Sequence, residues 1–237
     1  MKTLGILGGM SWESTAHLYK LLNQDVAARL GGLHSADLLM RSVDFAEIEA
    51  LQRAGDWAAA GRVLGEAGAG LKRAGAQGLL IATNTMHKVA DEIERLSGLP
   101  LIHIVDATAE ALKAAGIRRA GLLATRYTME QDFYRGRMLQ KHGIEVLTPA
   151  SDGRDEVHRI IYEELCRGRI LDSSREFYRQ AVRDLGALQG AQAVILGCTE
   201  VCLLLDPTQE ALEQEGALPL FDGTALHARA AVNWMLS

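Results

Sequence analysis

The strongest constraint on the fold is a pair of matching segments, one in each half of the chain. Leu79-Leu80-Ile81-Ala82-Thr83-Asn84-Thr85 and Ala193-Val194-Ile195-Leu196-Gly197-Cys198-Thr199-Glu200 each read as a buried apolar strand running straight into small or polar residues. Each delivers reactive atoms at a strand's carboxyl end, the edge where ligands bind in open α/β sheets. Two such edges facing each other would make a cleft with one residue presented from either side. One side presents the thiol of Cys198, the other the methyl of Ala82.

Between these segments short β-rich runs alternate with longer helical patterns. Leu4 to Leu7, Leu38 to Val43, Gly78 to Ile81, Leu101 to Val105, Ala120 to Ala124, Val146 to Thr148 and Ala193 to Leu196 read as strands, separated by apolar residues at helical spacing. Such alternation predicts βαβ units and mostly parallel sheets in an α/β protein. Gly75, Gly98, Gly116 and Gly143 follow helical segments, where left-handed geometry ends a helix. A new βα register begins near Ile117-Arg118-Arg119, Ala217-Leu218-Pro219-Leu220 reads as a further strand, and Thr224 to Leu236 reads as a final helix. Two pseudo-symmetric domains follow: a discontinuous first domain of residues 1–106 plus about 210–237, and a second of about 107–209, with the site in the cleft between them.

Composition narrows the function. With 237 residues and 48% hydrophobic content, the chain can bury the cores of two small domains. A net charge of -5 argues against a nucleic-acid partner, which calls for a basic surface. No apolar stretch approaches the roughly 20 residues of a membrane span, and Met1 to Ile6 enters a strand without a signal-peptide pattern. The expectation is a soluble, cytoplasmic protein. Its 3 cysteines, Cys166, Cys198 and Cys202, lack C-x-x-C spacing and suit free thiols in a reducing compartment.

Several motifs fail. Gly5-Ile6-Leu7-Gly8-Gly9-Met10-Ser11 follows a strand and opens a helix, but its glycine spacing is not that of a dinucleotide loop. No phosphate loop with a Gly-Lys-Ser/Thr ending is present. The 7 histidines form no H-E-x-x-H, and His87 and His103 read as structural, so no metal is expected.

Thiol chemistry remains. Cys198 precedes a helix start at Thr199-Glu200, where unpaired N–H groups favour the thiolate, so it is expected to be a reactive nucleophile or base. Cys166 and Cys202 lie on helical patterns and lack such surroundings. Thr83, Asn84 and Thr85 gather donors at another helix start, a site for a carboxylate or simply an N-cap. Thr125-Arg126-Tyr127-Thr128 repeats the pattern in the second half. A small amino or dicarboxylic acid fits both.

Leu7-Gly8-Gly9-Met10-Ser11-Trp12-Glu13-Ser14, Ala82-Thr83-Asn84-Thr85-Met86-His87 and Leu196-Gly197-Cys198-Thr199-Glu200 together resemble the aspartate/glutamate racemase family, in particular its broad-specificity or L-aspartate/glutamate-type members. The resemblance spans essentially the whole chain, including Ser42 to Phe45 and Thr125 to Tyr134. It implies an isomerase that uses neither pyridoxal phosphate nor metal, usually as a homodimer, in which opposed cysteines exchange the α-proton of an amino acid.

Carried onto this chain, that mechanism makes Cys198 the second thiol and places the first at Ala82, where the thiol is missing. Alanine transfers no proton, so three possibilities stand: an introduced alanine, a natural member relying on Cys198 with water or Thr83, or a protein that binds without racemising. The resemblance further implies that Thr83, Asn84, Thr85 and Thr199 hold the α-carboxylate, that Met10 and Gln52 lie near the substrate, and that Thr125, Thr128 and Glu200 belong to the binding site. Gln52 is equally readable as a polar face residue of a helix over Phe45 to Arg53, and Arg41 as a partner for a side-chain carboxylate or a surface residue. With one acting base, exchange of one enantiomer, the L form, is the expectation, and Ala82→Cys would restore racemisation. The single thiol is also the pattern of arylmalonate decarboxylases, and an amino-acid-binding protein without catalysis is the third class.

Overall fold

The computed structural model describes residues 1–207 and 218–237, and the chain divides into two compact units, 1–104 with 227–237 and 105–226. In the first, β1 (Leu4–Gly8), β2 (Leu38–Ser42) and β3 (Gly78–Ile81) form a parallel sheet in the order β2-β1-β3. Every residue of β1 and β3 is buried. A parallel strand covered on both faces has no polar side to present, hence the uninterrupted apolar runs.

The pleat sends alternate side chains to opposite faces, and two cores result. Leu7, Leu79 and Ile81 pack with Ile48, Leu64, Met86 and Ile93, contributed by α2 (Phe45–Ala54), α3 (Trp57–Arg73), a 3-10 turn at Thr85–Val89 and α4 (Ala90–Ser97). Leu4, Ile6, Leu80 and Ala82 pack with Leu18, Leu22 and Val26 of α1 (Trp12–Leu30) and with Ala228, Ala231, Val232 and Met235 of the last helix, Gly223–Leu236. Ser11, Asp44 and Asp56 cap the helices that follow them by accepting the N–H groups of Ser14, Ala46 and Ala59. Interior glycine weakens a helix by about 0.5–1 kcal/mol relative to alanine, yet α3 keeps Gly65 because a Cβ there would lie 2.7 Å from Leu96 Cβ on α4.

In the second unit β4 (Arg119–Leu123), β5 (Glu145–Leu147), β6 (Ala193–Leu196) and β7 (Leu220–Asp222) form a parallel sheet in the order β5-β4-β6-β7. Among the described residues it carries α5 (Ile104–Ala114), which begins at the unit boundary, α6 (Arg126–Glu130), α7 (Asp132–His142), α8 (Ser151–Glu163), α9 (Asp172–Gln189) and the start of the last helix. Tyr134 and Tyr178 are fully buried, as are Leu122, Leu123, Val157, Ile160 and Ile195, and the Tyr178 hydroxyl donates to Val157 O at 3.3 Å.

Three expectations change. Leu101 to Val105 is not a strand: Leu101 makes one isolated parallel bridge to Leu79, and helix α5 starts at Ile104. The side chain of His87 captures the Ile104 N–H at 3.2 Å, so that N–H is not available to a sheet. The last strand is Leu220–Asp222 rather than 217–220, Ala217 lying outside the described residues. Because β7 pairs with β6, the chain stays in the second unit until Leu226, beyond the boundary expected near 210. Among the described residues no helix is long and apolar enough to cross a membrane.

Charge ties α5 to α7. Asp106 accepts from Arg137 at 2.8 and 2.7 Å, from Lys141 at 2.6 Å and from the His142 ring at 2.8 Å. Burial pushes this carboxyl up, but the hydrogen bonds from Arg137, Lys141 and His142 outweigh it and hold the group far below the usual carboxylate range. A folded-state value below the unfolded one gives stability that is present above about pH 4, where an unfolded Asp titrates, and that fades as pH falls through and below it. Asp106→Asn is expected to lower stability by about 1–2 kcal/mol at neutral pH, a figure reduced for the solvent that reaches this cluster. The loss should shrink toward acid pH in denaturant titrations, and a loss independent of pH counts against the charge network as its source.

Candidate active site

Each sheet ends in the same way. In the first, Ala82 follows β3 and donates its N–H to Leu7 O of β1 at 2.9 Å; in the second, Gly197 follows β6 and donates its N–H to Leu123 O of β4 at 2.8 Å. The strand registers agree, Leu7 opposite Ile81 and Leu123 opposite Leu196. Ala82 therefore corresponds to Gly197, and Thr83 to Cys198. Side-chain direction supports the match. Ala82 is 8% exposed and belongs to the core with Leu80, while a Cβ on Gly197 would lie 2.8 Å from Ala124 Cβ and Leu122 Cδ1. Thr83 and Cys198 are both half-buried. The counterpart of Cys198 is thus a hydroxyl at Thr83, not the methyl of Ala82.

The backbone of Thr83 is clamped by a buried histidine. His87 Nε2 accepts the Ile104 N–H, so Nδ1 carries the proton and donates to Thr83 O at 2.8 Å. His103 and His227 surround the ring, with centroids 4.6 and 5.5 Å away. Burial, then the neighbouring His103 and His227, push His87 well below its ordinary value, and burial takes His227 down to about 4. Both are neutral at physiological pH. The structural reading of His87 agrees with this backbone clamp, and the His103 ring packs against it, although spacing gave no sign that His227 adjoins it.

Asn84 and Thr85 are buried, but Asn84 has helical backbone geometry and makes no side-chain cap. Its Oδ1 has no hydrogen-bond partner among the described residues. Gln52 is not a surface polar residue of α2: it is 4% exposed, its Nε2 donates to Met86 Sδ at 3.0 Å, and its Oε1 likewise lacks a partner. Met10 lies in the same core as Met86. Arg41 is exposed on β2, opposite Leu7 in the register.

In the second unit, Thr125 Oγ1 caps α6 by accepting the Thr128 N–H at 3.4 Å and lies 3.1 Å from Thr128 Oγ1. Thr128 is completely buried. Behind them the Arg126 N–H donates to His158 Nδ1 at 3.3 Å, and the His158 ring stacks near Tyr162 and Tyr127, a cluster that sequence spacing did not signal.

Cys198 departs from expectation. Its Sγ donates to Glu200 Oε2 at 2.9 Å, the Thr199 hydroxyl donates to the same oxygen at 3.0 Å, and Cys166 Sγ donates to Glu200 Oε1 at 3.8 Å. Burial, then the charge and hydrogen bond of Glu200, push the Cys198 thiol well above its ordinary value; the Glu200 backbone N–H opposes this and loses. The expected effect of the helix start exists, but burial of the sulfur, together with a carboxylate two residues away, overrides it. In the free protein the thiol keeps its proton. Cys202 is also pushed up, by burial and by Asp222.

A family description, Asp/Glu/hydantoin racemase, matches residues 7–231, a span that contains both strand ends. The chain belongs to this family. It is 54% identical to a protein from Yersinia pestis provisionally named an Asp/Glu racemase, with a TM-score of 0.91 and 100% of each chain covered. An aspartate racemase homologue from Pyrococcus horikoshii OT3 is 31% identical, with a TM-score of 0.83 and the same full coverage. The broad-specificity amino-acid racemase RacX of Bacillus subtilis (strain 168) is 22% identical over 167 residues, 70% of this chain and 68% of that one. The α/β architecture with parallel sheets is shared with the Yersinia pestis and Pyrococcus horikoshii structures.

Proposed function

We propose that this chain is a cofactor-independent amino-acid racemase acting on aspartate, glutamate or a broader set, with Cys198 exchanging the α-proton on one face of the α-carbon and Thr83 serving the other. The supporting observation is the equivalence of the two strand ends, which gives these two side chains the same place in their sheets. A thiolate takes the α-proton and becomes a thiol; the planar carbanion then receives a proton from either face. Threonine is a far weaker acid, and its alkoxide must be reprotonated by water, so the two faces are expected to differ in rate.

Aspartate, glutamate and a panel of other amino acids, each as separate enantiomers, are to be incubated with the protein in deuterium oxide. Solvent deuterium should enter the α-position of one enantiomer faster than optical activity is lost, and dialysis against a chelator should leave both rates unchanged. Absence of exchange across the panel removes the assignment. One observation favours a second activity: a thiol that keeps its proton suits a single-cysteine decarboxylase, which needs only to protonate a carbanion. Release of carbon dioxide from an aryl malonate, without α-proton exchange, would select it.

A further inference from the structure

Glu200 was expected to touch substrate, but its surroundings give it a more specific task. It is 6% exposed and receives hydrogen bonds from the Cys198 thiol, the Thr199 hydroxyl and the Cys166 thiol. A carboxylate so supplied with donors is stabilised as the anion. We propose that ionised Glu200 is an electrostatic latch on Cys198: it keeps the sulfur protonated in the free protein, and a ligand ammonium that neutralises it frees the thiolate. The second half rests on the racemase reading, since it is an amino-acid substrate that brings an ammonium to this pair.

The physical basis is proximity. A full negative charge 2.9 Å from sulfur opposes a second one, and low local polarity strengthens the opposition. The neighbouring side chains that act on Cys198 push in the same direction. Cys166 adds to the opposition, the fully buried Tyr178 hydroxyl is pushed well above its ordinary value, and both Glu156 and Glu164 are paired with Arg159. Cys202, on the same turn, faces Asp222, Asp206 and Glu200. A cation placed at Glu200 offsets that charge and removes its part of the opposition, so a larger fraction of the thiol loses its proton to solvent. The device protects the thiol from alkylation and oxidation until substrate is bound, because the thiolate is the reactive form.

The test uses the full chain in a Cys166→Ser, Cys202→Ser background, in which Cys198 is the only thiol and serine keeps a donor toward Glu200. Its ionisation is followed by thiolate absorbance and by iodoacetamide labelling against pH. Glu200→Gln should make labelling at neutral pH at least about tenfold faster, one unit of thiol titration, and Glu200→Asp should stay nearer the parent. An unchanged titration in Glu200→Gln overturns the latch, and circular dichroism identifies a variant that fails to fold. For a misfolded glutamine variant, the aspartate variant and the ligand arm decide.

In the ligand arm, aspartate should raise thiolate absorbance at neutral pH, whereas succinate, which lacks the ammonium, should not. Equal responses overturn the ammonium step. Binding of neither, with no α-proton exchange in the parent chain, discards the racemase reading and the ammonium step with it, while the Glu200→Gln titration still decides the latch.

Discussion

Thr83→Cys is expected to raise net interconversion of the enantiomers by about 10²-fold or more, the contribution commonly made by one positioned proton-transfer group. Ala82→Cys is expected to give no such gain. The difference follows from the pleat. Ala82 shares a face with Leu80 and packs against the core of α1 and the last helix, so sulfur there has no path to a substrate. It must also fit a filled space, at a typical cost of about 1–3 kcal/mol. Thr83 lies at the half-buried position that Cys198 holds in the other sheet. Chiral chromatography of aspartate and glutamate with each variant, alongside thermal unfolding, measures both effects. A gain in Ala82→Cys with none in Thr83→Cys reverses the assignment of the two positions.

The match of Thr83, rather than Ala82, to Cys198 was within reach of the sequence. In a strand of period two, Leu80 and Ala82 share one side while Ile81 and Thr83 share the other, just as Leu196 and Cys198 share a side, so Thr83 is the position that matches Cys198. The strands themselves were legible because parallel strands covered on both faces leave uninterrupted apolar runs, as in Leu4 to Leu7 and Ala193 to Leu196. Leu101 to Val105 carries the same signature but becomes one bridge and a helix start, because a side chain from 17 positions earlier takes the Ile104 N–H. No local pattern contains that information. The histidine clamp is hidden for the same reason: His227 reaches its partners through the fold, accepting no signal from residues near it in the chain. The state of Cys198 was misread because the helix-start rule considers backbone N–H groups, whereas burial of the sulfur comes first and the side chain of Glu200, folding back onto it, adds to it.

Cys198→Ala is expected to reduce α-proton exchange by about 10²-fold to 10⁴-fold, the usual loss when a positioned acid or base is removed. It should do so with little effect on the fold, because Cys198 is half-buried at a strand end and leaves no large void when shortened by one atom. The pH dependence of the parent chain adds a sharper check. With the thiol held above its ordinary range, the basic form is scarce at neutral pH in the free protein. The rate constant kcat/KM reports free-protein ionisation, so it should climb about tenfold per pH unit from neutrality until the thiol titrates. In contrast, kcat reports the substrate complex, in which an ammonium beside Glu200 would offset the opposing charge. Its rise should therefore begin at lower pH. Stopped-time deuterium exchange from pH 6 to about pH 10, the upper limit set by ordinary tyrosine and lysine titration, resolves the two profiles. A kcat/KM that stays flat across this range, or exchange that persists in Cys198→Ala, excludes Cys198 as the base.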